Sequence, residues 1–352
     1  MEPVRIGVIG CGVIGSRHLS IAKETEHIEL VAAADLIESN RERAAERFNP
    51  PNVYSNDIDL LDNEDIEAVV LAFPTQYRTE VALRAFAKGK HVLIEKPITM
   101  NVDEVNQLIE ARGDLVSACC SSRNRFNKAA RLATELITTG GIGQLRTVHC
   151  RAIRGCGKEP GSPRPAWRLT KALNGGGILV NWGCYDIDFL LGITGWKLKP
   201  RTVLAQTWTV PPKFESHIAP GSDAETHYNA LVRCEDGTVI TLERGEFMTM
   251  HSHSDWEIIG SEGSLKMNMG DGNPSKITHN QITTADGVIS NPLEDTDDTE
   301  GPHYGDPTTD FAAAIRQNRQ PLTSLEQALV VQQITDGIYA SAESGTAVDI
   351  PD

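Results

Sequence analysis

The sequence is short of positive charge. Of its 352 residues, 33 are Lys or Arg and 48 are Asp or Glu, which gives a formal net charge of −15. A field of this sign repels phosphate backbones and anionic lipid surfaces, and no Lys/Arg cluster is dense enough to reverse it locally. We therefore expect neither a nucleic acid nor a membrane as a partner.

The sequence also lacks long apolar runs. No stretch approaches the roughly 20 apolar residues that a membrane-spanning helix needs. The N-terminal "MEPVRIGVIG" has no long apolar core of the signal-peptide type. These absences favour a cytoplasmic protein.

Cysteine is scarce, and its spacing does not suggest a metal site. The sequence has seven cysteines, an odd number, and several stand inside apolar runs, so we interpret them as reduced core residues. His251 and His253 are separated by one residue, but no zinc-type cysteine spacing accompanies them. The sequence therefore predicts no metal.

What the sequence does contain is enough apolar material for a sizeable core. Hydrophobic residues make up 40% of the chain and charged residues 23%, and the length exceeds that of a usual single domain. We expect two domains, residues 1–124 and residues 125–352.

The N-terminal stretch "VRIGVIGCGVIGSRHL" predicts a strand, a tight glycine turn and a helix. A lone G-x-G-x-x-G pattern is weak evidence, but here a second strand, "IELVAAAD", ends in an acid about 20 residues later, as dinucleotide-binding folds require. The pyrophosphate would lie on the helix N-terminus. The residues of this turn that we expect to bind the cofactor are Gly10, Cys11, Gly12, Val13, Ile14 and Gly15.

Asp35, the acid that ends the second strand, favours NAD over NADP. Its carboxylate would accept hydrogen bonds from ribose hydroxyls and repel a 2′-phosphate, while the adjoining Leu36 supplies no positive charge. We expect both Asp35 and Leu36 to contact the cofactor. Arg41 and Arg43 follow on the next helix. They are either solvated helix charges or side chains that reach back toward this acid.

Strand-like and helix-like segments alternate through the first third of the chain, which predicts a parallel sheet with helices on both faces. Ligands of such sheets lie at the carboxyl ends of the strands, where this sequence has "PTQYR", "EKP" and "SSRNRF". The residues in and beside these loops that we expect to contact the cofactor are Phe73, Pro74, Thr75, Tyr77, Glu95, Lys96 and Asn124.

Lys96 is the first candidate catalytic residue. It follows a buried strand at the edge where a nicotinamide ring would lie, so its ammonium group could hold or exchange the proton of a substrate hydroxyl. The alternative is a surface lysine that forms an ion pair with Glu95.

The second half of the chain is rich in β-type runs such as "LRTVHCRAI", "THYNALVRC" and "TVITLERGEF", separated by Gly, Pro and Asp clusters. The acidic segment "EDTDDTE" at 294–300 is interpreted as a solvated loop or, alternatively, as a lid.

The order and spacing of several segments resemble the glucose-fructose oxidoreductase / inositol dehydrogenase family, Gfo/Idh/MocA. The glycine turn, "AFAKGKHVLIEKPITMNVDEVNQLIEA", "RFNKAARLATELITTGGIGQL" and "WRLTKALNGGGILVNWGCYDIDFLLG" carry the resemblance, which covers essentially the whole chain. It implies an α/β fold with an N-terminal Rossmann dinucleotide-binding domain. It also implies a C-terminal α/β domain whose open, mostly antiparallel sheet forms a homodimer or homotetramer. A cis peptide bond between Lys96 and Pro97 is implied as well.

The stretch "GGGILVNWGCYDID" at 175–188 places Asn181, Tyr185 and Asp188 at the i, i+4 and i+7 spacing of one helix face. In relatives the pattern is Asp, three residues, His, and that pair assists the lysine of the "EKP" motif. Here Asn181 and Tyr185 occupy those positions. Tyr185 is therefore a candidate proton carrier, a substrate-binding hydroxyl or a structural residue, and Asp188 is interpreted as a paired helix residue. We expect the three glycines to let the helix N-terminus approach the ligand.

The proline-rich "KEPGSPRPAWR" at 158–168 carries further candidates. A tryptophan face suits the C–H face of a sugar ring, and an arginine suits hydroxyls or a carboxylate. Trp167 either has that role or anchors the loop. The residues that we expect to bind substrate are Arg123, Trp167, Arg168, Asn181 and Tyr185.

These expectations together predict an NAD-dependent oxidoreductase that acts on CH–OH groups. Hydride would pass between a ring CH–OH carbon of a sugar, glycoside or cyclitol and nicotinamide, with Lys96 and Tyr185 as the catalytic residues. Two alternatives remain: a glycosidase that uses NAD for transient oxidation at C3, and a dinucleotide or sugar sensor without enzymatic activity.

Overall fold

The computed structural model describes residues 2–163, 165–270, 276–293 and 305–351, so the acidic segment 294–300 lies outside the described residues. The chain divides into two compact units. The first comprises Met1–Arg123 with Tyr304–Val330, and the second comprises Asn124–His303 with Val331–Asp352. The first unit thus includes a late segment that the sequence-based division assigned to the second domain.

The described residues contain strands in two sheets. In chain order they are β1 (Val4–Ile9), β2 (Ile28–Ala34), β3 (Asn52–Tyr54), β4 (Ala68–Leu71), β5 (His91–Ile94), β6 (Ser117–Cys119), β7 (Leu145–Gly155), β8 (Pro200–Trp208), β9 (His227–Cys234), β10 (Val239–Met248), β11 (His253–Gly260), β12 (Gly263–Met267), β13 (Thr278–Thr283), β14 (Gly287–Pro292) and β15 (Val348–Asp349).

The helices flank these sheets. In chain order they are α1 (Val13–Glu24), α2 (Glu38–Phe48), α3 (Asp57–Leu61), α4 (Arg78–Ala87), α5 (Val102–Arg112), α6 (Lys128–Thr138), α7 (Lys171–Asn174), α8 (Cys184–Ile193), α9 (Pro307–Gln317) and α10 (Leu325–Ser344). Across the described ranges, no helix combines the length and the apolar character that crossing a bilayer would require.

The sheet of the first unit is parallel and has the strand order β3-β2-β1-β4-β5-β6. This is the order of the Rossmann fold, which confirms the prediction from the alternating segments. The central strands β1, β4 and β5 are mostly apolar and buried because helices cover both faces of the sheet. Phe311 of α9 packs into the core on one face and Leu325 of α10 into the core on the other, which explains why this late segment belongs to the first unit.

The sheet of the second unit has the order β14-β13-β12-β11-β7-β10-β9-β8-β15 in the described residues. All its pairs are antiparallel except β7 with β10, so the prediction of a mostly antiparallel sheet is confirmed. Helix α8 packs on one face, where the rings of Phe189 and Trp256 meet edge-on with centroids 5.5 Å apart. On β8 and β9, Leu204 and Leu231 are register partners and are 51% and 45% exposed.

The polar strands β13 and β14 were not predicted. Their sequences, "THNQIT" and "GVISNP", are largely exposed and have no apolar alternation that would distinguish them from loops. The cysteines match their interpretation as unpaired residues, since all seven thiols are free and only Cys156 is not buried.

Candidate functional site

The three glycines of the turn between β1 and α1 each have a different structural role. Gly10 has a φ of +91°, and a Cβ there would lie 2.5 Å from the carbonyl oxygen of Ala72. A Cβ on Gly15 would lie 1.7 Å from the carbonyl oxygen of Gly10, so this glycine lets α1 pack on the turn. Around Gly12 nothing lies within 4 Å of a built Cβ in the described residues. The backbone at Gly12 is therefore open to a ligand.

The N-terminus of α1 suits an anion. Gly12 is its N-cap residue and provides no side-chain bond, and the first turn carries no acid. Val13, in that turn, is 89% exposed. The first N–H groups of a helix lack intrahelical partners and carry partial positive charge, so this end can hold the pyrophosphate of a dinucleotide.

Asp35 joins the end of β2 to the glycine turn. Its Oδ2 accepts a hydrogen bond from the Cys11 N–H at 2.7 Å and one from Asn40 Nδ2 at 3.1 Å, and its Oδ1 accepts from the Ile37 N–H at 2.8 Å. Burial, with a contribution from the nearby Asp35 charge, raises the pKa of Cys11 to about 12. The thiol of Cys11 is therefore neutral, and the carboxylate that would bind ribose also orders the turn.

Arg41 reaches back toward this acid. Its Nη1 donates to the carbonyl oxygens of Asp35 at 2.8 Å and Leu36 at 3.0 Å. Arg43 instead donates to the side chain of Asn40. Arg41 is therefore not a solvated helix charge but a side chain that reaches back, and it places a guanidinium group at the end of β2.

The carboxylate of Glu95, next to Lys96, is buried within a hydrogen-bonded network. It accepts hydrogen bonds from His18 Nε2 at 2.9 Å, from Arg123 Nη2 and from the Lys96 N–H at 3.1 Å. Burial alone would raise the pKa of Glu95, but the bond from His18 and the positive charges of Arg123 and Lys96 lower it well below its usual range. Arg123, a predicted substrate-binding residue, therefore forms an ion pair with a fixed carboxylate. The Lys96–Pro97 peptide bond is cis, as the resemblance implied.

His18 was not singled out in the sequence. Its Nδ1 lies 2.7 Å from Thr308 Oγ1 while its Nε2 contacts Glu95. Cys120 lies close enough for the three residues to resemble a metal-ligand set. Both ring nitrogens of His18 are already hydrogen-bonded, so we interpret the group as a network that orients Glu95.

Arg78 connects two of the loops at the carboxyl ends of the strands. Its guanidinium donates to the carbonyl oxygens of Phe73 at 2.6 Å and Glu95 at 2.5 Å, and also to that of Pro97. The predicted cofactor residues beside it differ in exposure: Phe73 and Pro74 are half-buried, Thr75 is buried and Tyr77 is exposed. Asn124, the last predicted cofactor residue, begins the second unit.

The segment after the glycine triplet is not a regular α-helix. Leu179–Gly183 form a π-helical turn, closed by the bond from the Cys184 N–H to the Leu179 carbonyl oxygen, and α8 follows. A π-helical turn holds one residue more than an α-helical turn, so the predicted i, i+4, i+7 alignment does not hold across it. Such turns are frequent at functional sites.

Asn181 lies in this π-helical turn and uses both amide hydrogens within the protein. Its Nδ2 donates to the carbonyl oxygens of Arg168 and Gly177, each at 2.8 Å. Its Oδ1 lies 3.4 Å from Asn174 Nδ2. The side chain therefore holds the Arg168 loop against the helix and has only acceptor capacity to offer a ligand.

Tyr185 and Asp188 lie in α8. Tyr185 is 5% exposed, and its ring centroid is 5.9 Å from that of Trp182. The carboxylate of Asp188 lies 2.8 Å from Arg125 Nε, with both side chains buried. The interpretation of Asp188 as a paired residue is confirmed.

The glycine triplet accommodates the protein's own side chains and backbone. A Cβ on Gly176 would lie 1.9 Å from the hydroxyl of Tyr339, and one on Gly177 would lie 1.8 Å from the carbonyl oxygen of Glu225. The buried Glu225 carboxylate accepts hydrogen bonds from the Gly177 and Leu179 N–H groups and from the Tyr339 hydroxyl. Gly176 and Gly177 are therefore required by close contacts within the protein. We had expected glycine here because of the close approach of a ligand.

The second unit contains a recess beside this π-helical turn. Two predicted residues, Asn181 and Arg168, line it, whereas Tyr185 and the 40%-exposed Trp167 are not among its lining residues in the described part of the chain. The other lining residues are Pro165, Leu169, Ile178, His217, Ile218, Ala219, Ser222, Glu246 and Phe247. Apolar walls with a few polar groups are typical of small-molecule sites. The sequence analysis missed His217, Glu246 and Phe247, whose local sequences carry no motif.

Two family models match the chain. Residues 4–115 match the model described as an oxidoreductase family with an NAD-binding Rossmann fold, and residues 130–266 match the GFO/IDH/MocA C-terminal domain.

Known proteins agree with these matches. The chain is 27% identical over 296 residues to levoglucosan dehydrogenase of Pseudarthrobacter phenanthrenivorans, covering 76% of this chain and 74% of the relative. It is 31% identical over 273 residues to dTDP-3,4-didehydro-2,6-dideoxy-alpha-D-glucose 3-reductase of Saccharopolyspora spinosa, covering 75% and 74%. A solved structure of levoglucosan dehydrogenase in complex with NADH and L-sorbose has the same fold, with a TM-score of 0.83 at 23% identity and full coverage of both chains.

These matches confirm four predictions from the sequence: the family, the fold, the enzyme class and the cofactor. The protein belongs to the Gfo/Idh/MocA family of NAD-dependent oxidoreductases.

Proposed function

We propose that the protein oxidises or reduces a ring CH–OH carbon of a sugar, glycoside or cyclitol with NAD as the hydride carrier. The observation that carries this proposal is the recess of the second unit, where Asn181, Arg168 and Glu246 accompany apolar walls. Such a lining suits a ligand that has both C–H faces and hydroxyl groups. The names of two relatives, a levoglucosan dehydrogenase and a reductase of a dTDP-linked deoxysugar, support a sugar.

Each predicted residue has a separable role in this proposal. Bound NAD would supply the hydride acceptor or donor. The N-terminus of α1 would hold its pyrophosphate and Asp35 its ribose. Lys96 would exchange the hydroxyl proton of the substrate, and the network around Glu95 would keep the Lys96 backbone in place. Tyr185 would assist as a proton carrier or as a hydrogen-bond donor.

A substrate panel tests the function. Levoglucosan, methyl glucosides, free aldoses, sugar acids and cyclitols are each incubated with NAD, while NADH is followed by absorbance and products by mass spectrometry. We expect NADH in stoichiometric amounts with an oxidised ring. A cleaved glycoside without net NADH would instead identify transient oxidation. Binding of NAD and a sugar without any product would identify a sensor.

Substitutions test the two catalytic assignments on the substrate so found. Lys96→Met should remove nearly all turnover and leave NAD affinity close to that of the wild type. Tyr185→Phe should lower kcat by about 10²–10⁴-fold if the phenol carries a proton, but should cost only about 1 kcal/mol, mainly in KM, if it donates one hydrogen bond. Tyr185→His, which restores the group of the relatives, should retain activity in the first case. Unchanged kcat/KM in both Tyr185 variants would remove this residue from the site.

We also propose that the exposed face of the second sheet joins copies of the chain into a homodimer or homotetramer. Leu204 and Leu231 lie side by side on it and are about half exposed. An apolar pair of this kind on a sheet face suits an interface between subunits.

A further inference from the structure

The recess is partly formed by an irregularity of β10. The register of β10 with β7 pairs Gly245 with Ile153 and then Met248 with Gly155, so β10 contains one extra residue here. This is a β-bulge, a feature that redirects side chains next to binding sites. It brings Glu246 and Phe247 to the wall of the recess.

The bulge is also conformationally strained. Phe247 has a φ of +58°, in the left-handed region that bulky residues rarely adopt. Residues in this region persist only where their surroundings enforce it, and they concentrate at ligand sites. The ring of Phe247 meets that of His217 edge-on with centroids 6.2 Å apart, and the ring of Phe214 meets it edge-on with centroids 5.5 Å apart. Two aromatic rings thus orient the imidazole.

The tautomer of His217 follows from its contacts. Its Nε2 lies 3.4 Å from the carbonyl oxygen of Gly157. A carbonyl oxygen can only accept, so the proton of a neutral imidazole belongs on Nε2 and Nδ1 is left as an acceptor. Nδ1 is shielded from water and has no hydrogen-bond partner among the described residues. A buried polar atom without a partner is costly and needs an explanation, and an incoming ligand provides one.

We propose that His217 is a specificity-determining residue whose Nδ1 accepts a hydrogen bond from a ring hydroxyl of the substrate. This inference rests on the proposed function and names the group that the recess recognises. Nδ1 of His217 and Oδ1 of Asn181 can accept hydrogen bonds, whereas the guanidinium of Arg168, which also lines the recess, can only donate them. The recess therefore suits a ring polyol, whose hydroxyl groups both donate and accept.

Two substitutions separate this role from a structural one. The side-chain amide of Asn places an acceptor oxygen near the position of Nδ1, whereas that of Gln reaches the position of Nε2. His217→Gln can therefore keep the contact with Gly157 but loses the acceptor for the substrate, and His217→Asn does the opposite. We expect KM for a neutral ring polyol to rise about tenfold in His217→Gln and to stay within about threefold of the wild type in His217→Asn. The exposed His27 provides a matched control, since His27→Gln should change nothing.

A binding measurement tests the proposal without turnover. In nitrogen-15 spectra of the full chain with NAD, His217 should show the tautomer protonated at Nε2. Its Nδ1 signal should shift and saturate on titration with levoglucosan, methyl β-D-glucopyranoside or myo-inositol.

The outcomes distinguish this inference from the proposed function. If a sugar is oxidised but leaves the His217 signal and the KM of His217→Gln unchanged, the inference is wrong and the function stands. If a polyol shifts the signal but nothing is oxidised, the recess is a binding site and the function is wrong. A proton on Nδ1 of the ligand-free protein, or no response to any of the three compounds, overturns the inference. An equal rise in KM in His217→Asn and His217→Gln would show that His217 has only a structural role.

Discussion

Replacing Tyr339 by Phe tests how the glycine triplet is held. The Tyr339 hydroxyl donates to Glu225 Oε1 at 3.0 Å, and the same oxygen accepts from the Leu179 N–H at 3.0 Å. Both carboxylate oxygens accept from the Gly177 N–H. The Gly177 carbonyl oxygen in turn accepts from the backbone and side chain of Asn181. A hydroxyl on α10 is thus connected through one carboxylate to a residue of the recess.

The magnitude follows from the burial of that carboxylate. Glu225 is only 3% exposed, and no Lys, Arg or His is among the hydrogen-bond partners found for its carboxylate in the described residues. A hydrogen bond to a charged group contributes about 1.5–3 kcal/mol. Tyr339→Phe keeps the ring and removes the bond, so the free energy of unfolding of the second unit should fall by about 2 kcal/mol. For a unit of this size that corresponds to a fall in Tm of about 4–8 °C.

The pH dependence gives a second readout. Burial raises the pKa of Glu225, although the bonds from Leu179, Tyr339 and Gly177 oppose the shift. Because the folded state prefers the protonated acid, the contribution of Glu225 to stability is fully present below the ordinary pKa of 4.5 and is lost as the pH rises through the raised folded value. Tyr339→Phe removes a hydrogen-bond donor from the charged form of Glu225, so stability should fall more steeply with rising pH in this variant than in the wild type. In Glu225→Gln this pH dependence should disappear.

Thermal melts between pH 4 and pH 8 provide the assay, with Tyr54→Phe as the matched control. Tyr54 makes a neutral hydrogen bond with Asn63 at 3.2 Å, so its loss should cost no more than about 1 kcal/mol. In a turnover assay, Tyr339→Phe should raise KM for the sugar and leave NAD affinity unchanged, because Asn181 is displaced and the glycine turn is not. A Tm of Tyr339→Phe no lower than that of the control, with the pH dependence of the wild type, would refute the role given to the Tyr339–Glu225 bond.

Two further predictions concern the cofactor and the assembly. NAD should bind several-fold more tightly than NADP in equilibrium titrations. Asp35→Ser should reduce the difference in affinity between NAD and NADP, since it removes the negative charge beside Arg41. Adding Arg41→Met should restore that difference. An NADP preference in the wild type would contradict the reasoning. For the assembly, Leu231→Lys should lower the mass measured by analytical ultracentrifugation, because it buries a charge in the proposed interface. Leu204→Lys should lower the mass for the same reason. A wild-type monomer would exclude the interface.

The Rossmann unit could be predicted because its signals are local. The strand "IELVAAAD" is apolar from Leu30 to Ala34 and is followed by an acid, and the glycines of the first turn stand at a spacing that only a few backbones require. Phe311 is a different case. It completes the core of this unit from a position near the end of the chain, and no local pattern tells which of two sheets a late amphipathic helix will cover.

The recess could not be predicted, because the features that form it leave no periodic signal. One extra residue in a strand shifts the register at Glu246 and Phe247, and the sequence "RGEFM" reads equally well as a regular strand. The π-helical turn before α8 likewise adds one residue to an otherwise helical segment. The Tyr339–Glu225 bond joins residues 114 positions apart, and no local pattern in a single sequence predicts such a pairing.

The hydrogen bonds of Asn181 give a physical account of an amide at the position where the family resemblance implied a carboxylate. A carboxylate at this position would face the carbonyl oxygens of Arg168 and Gly177, which lie 2.8 Å from the amide nitrogen, and would repel both. The loop that carries Arg168 therefore requires a donor from the π-helical turn. A donor at this position cannot act as a carboxylate. The recess contains the imidazole of His217, which is held by Phe214, Phe247 and the Gly157 carbonyl oxygen.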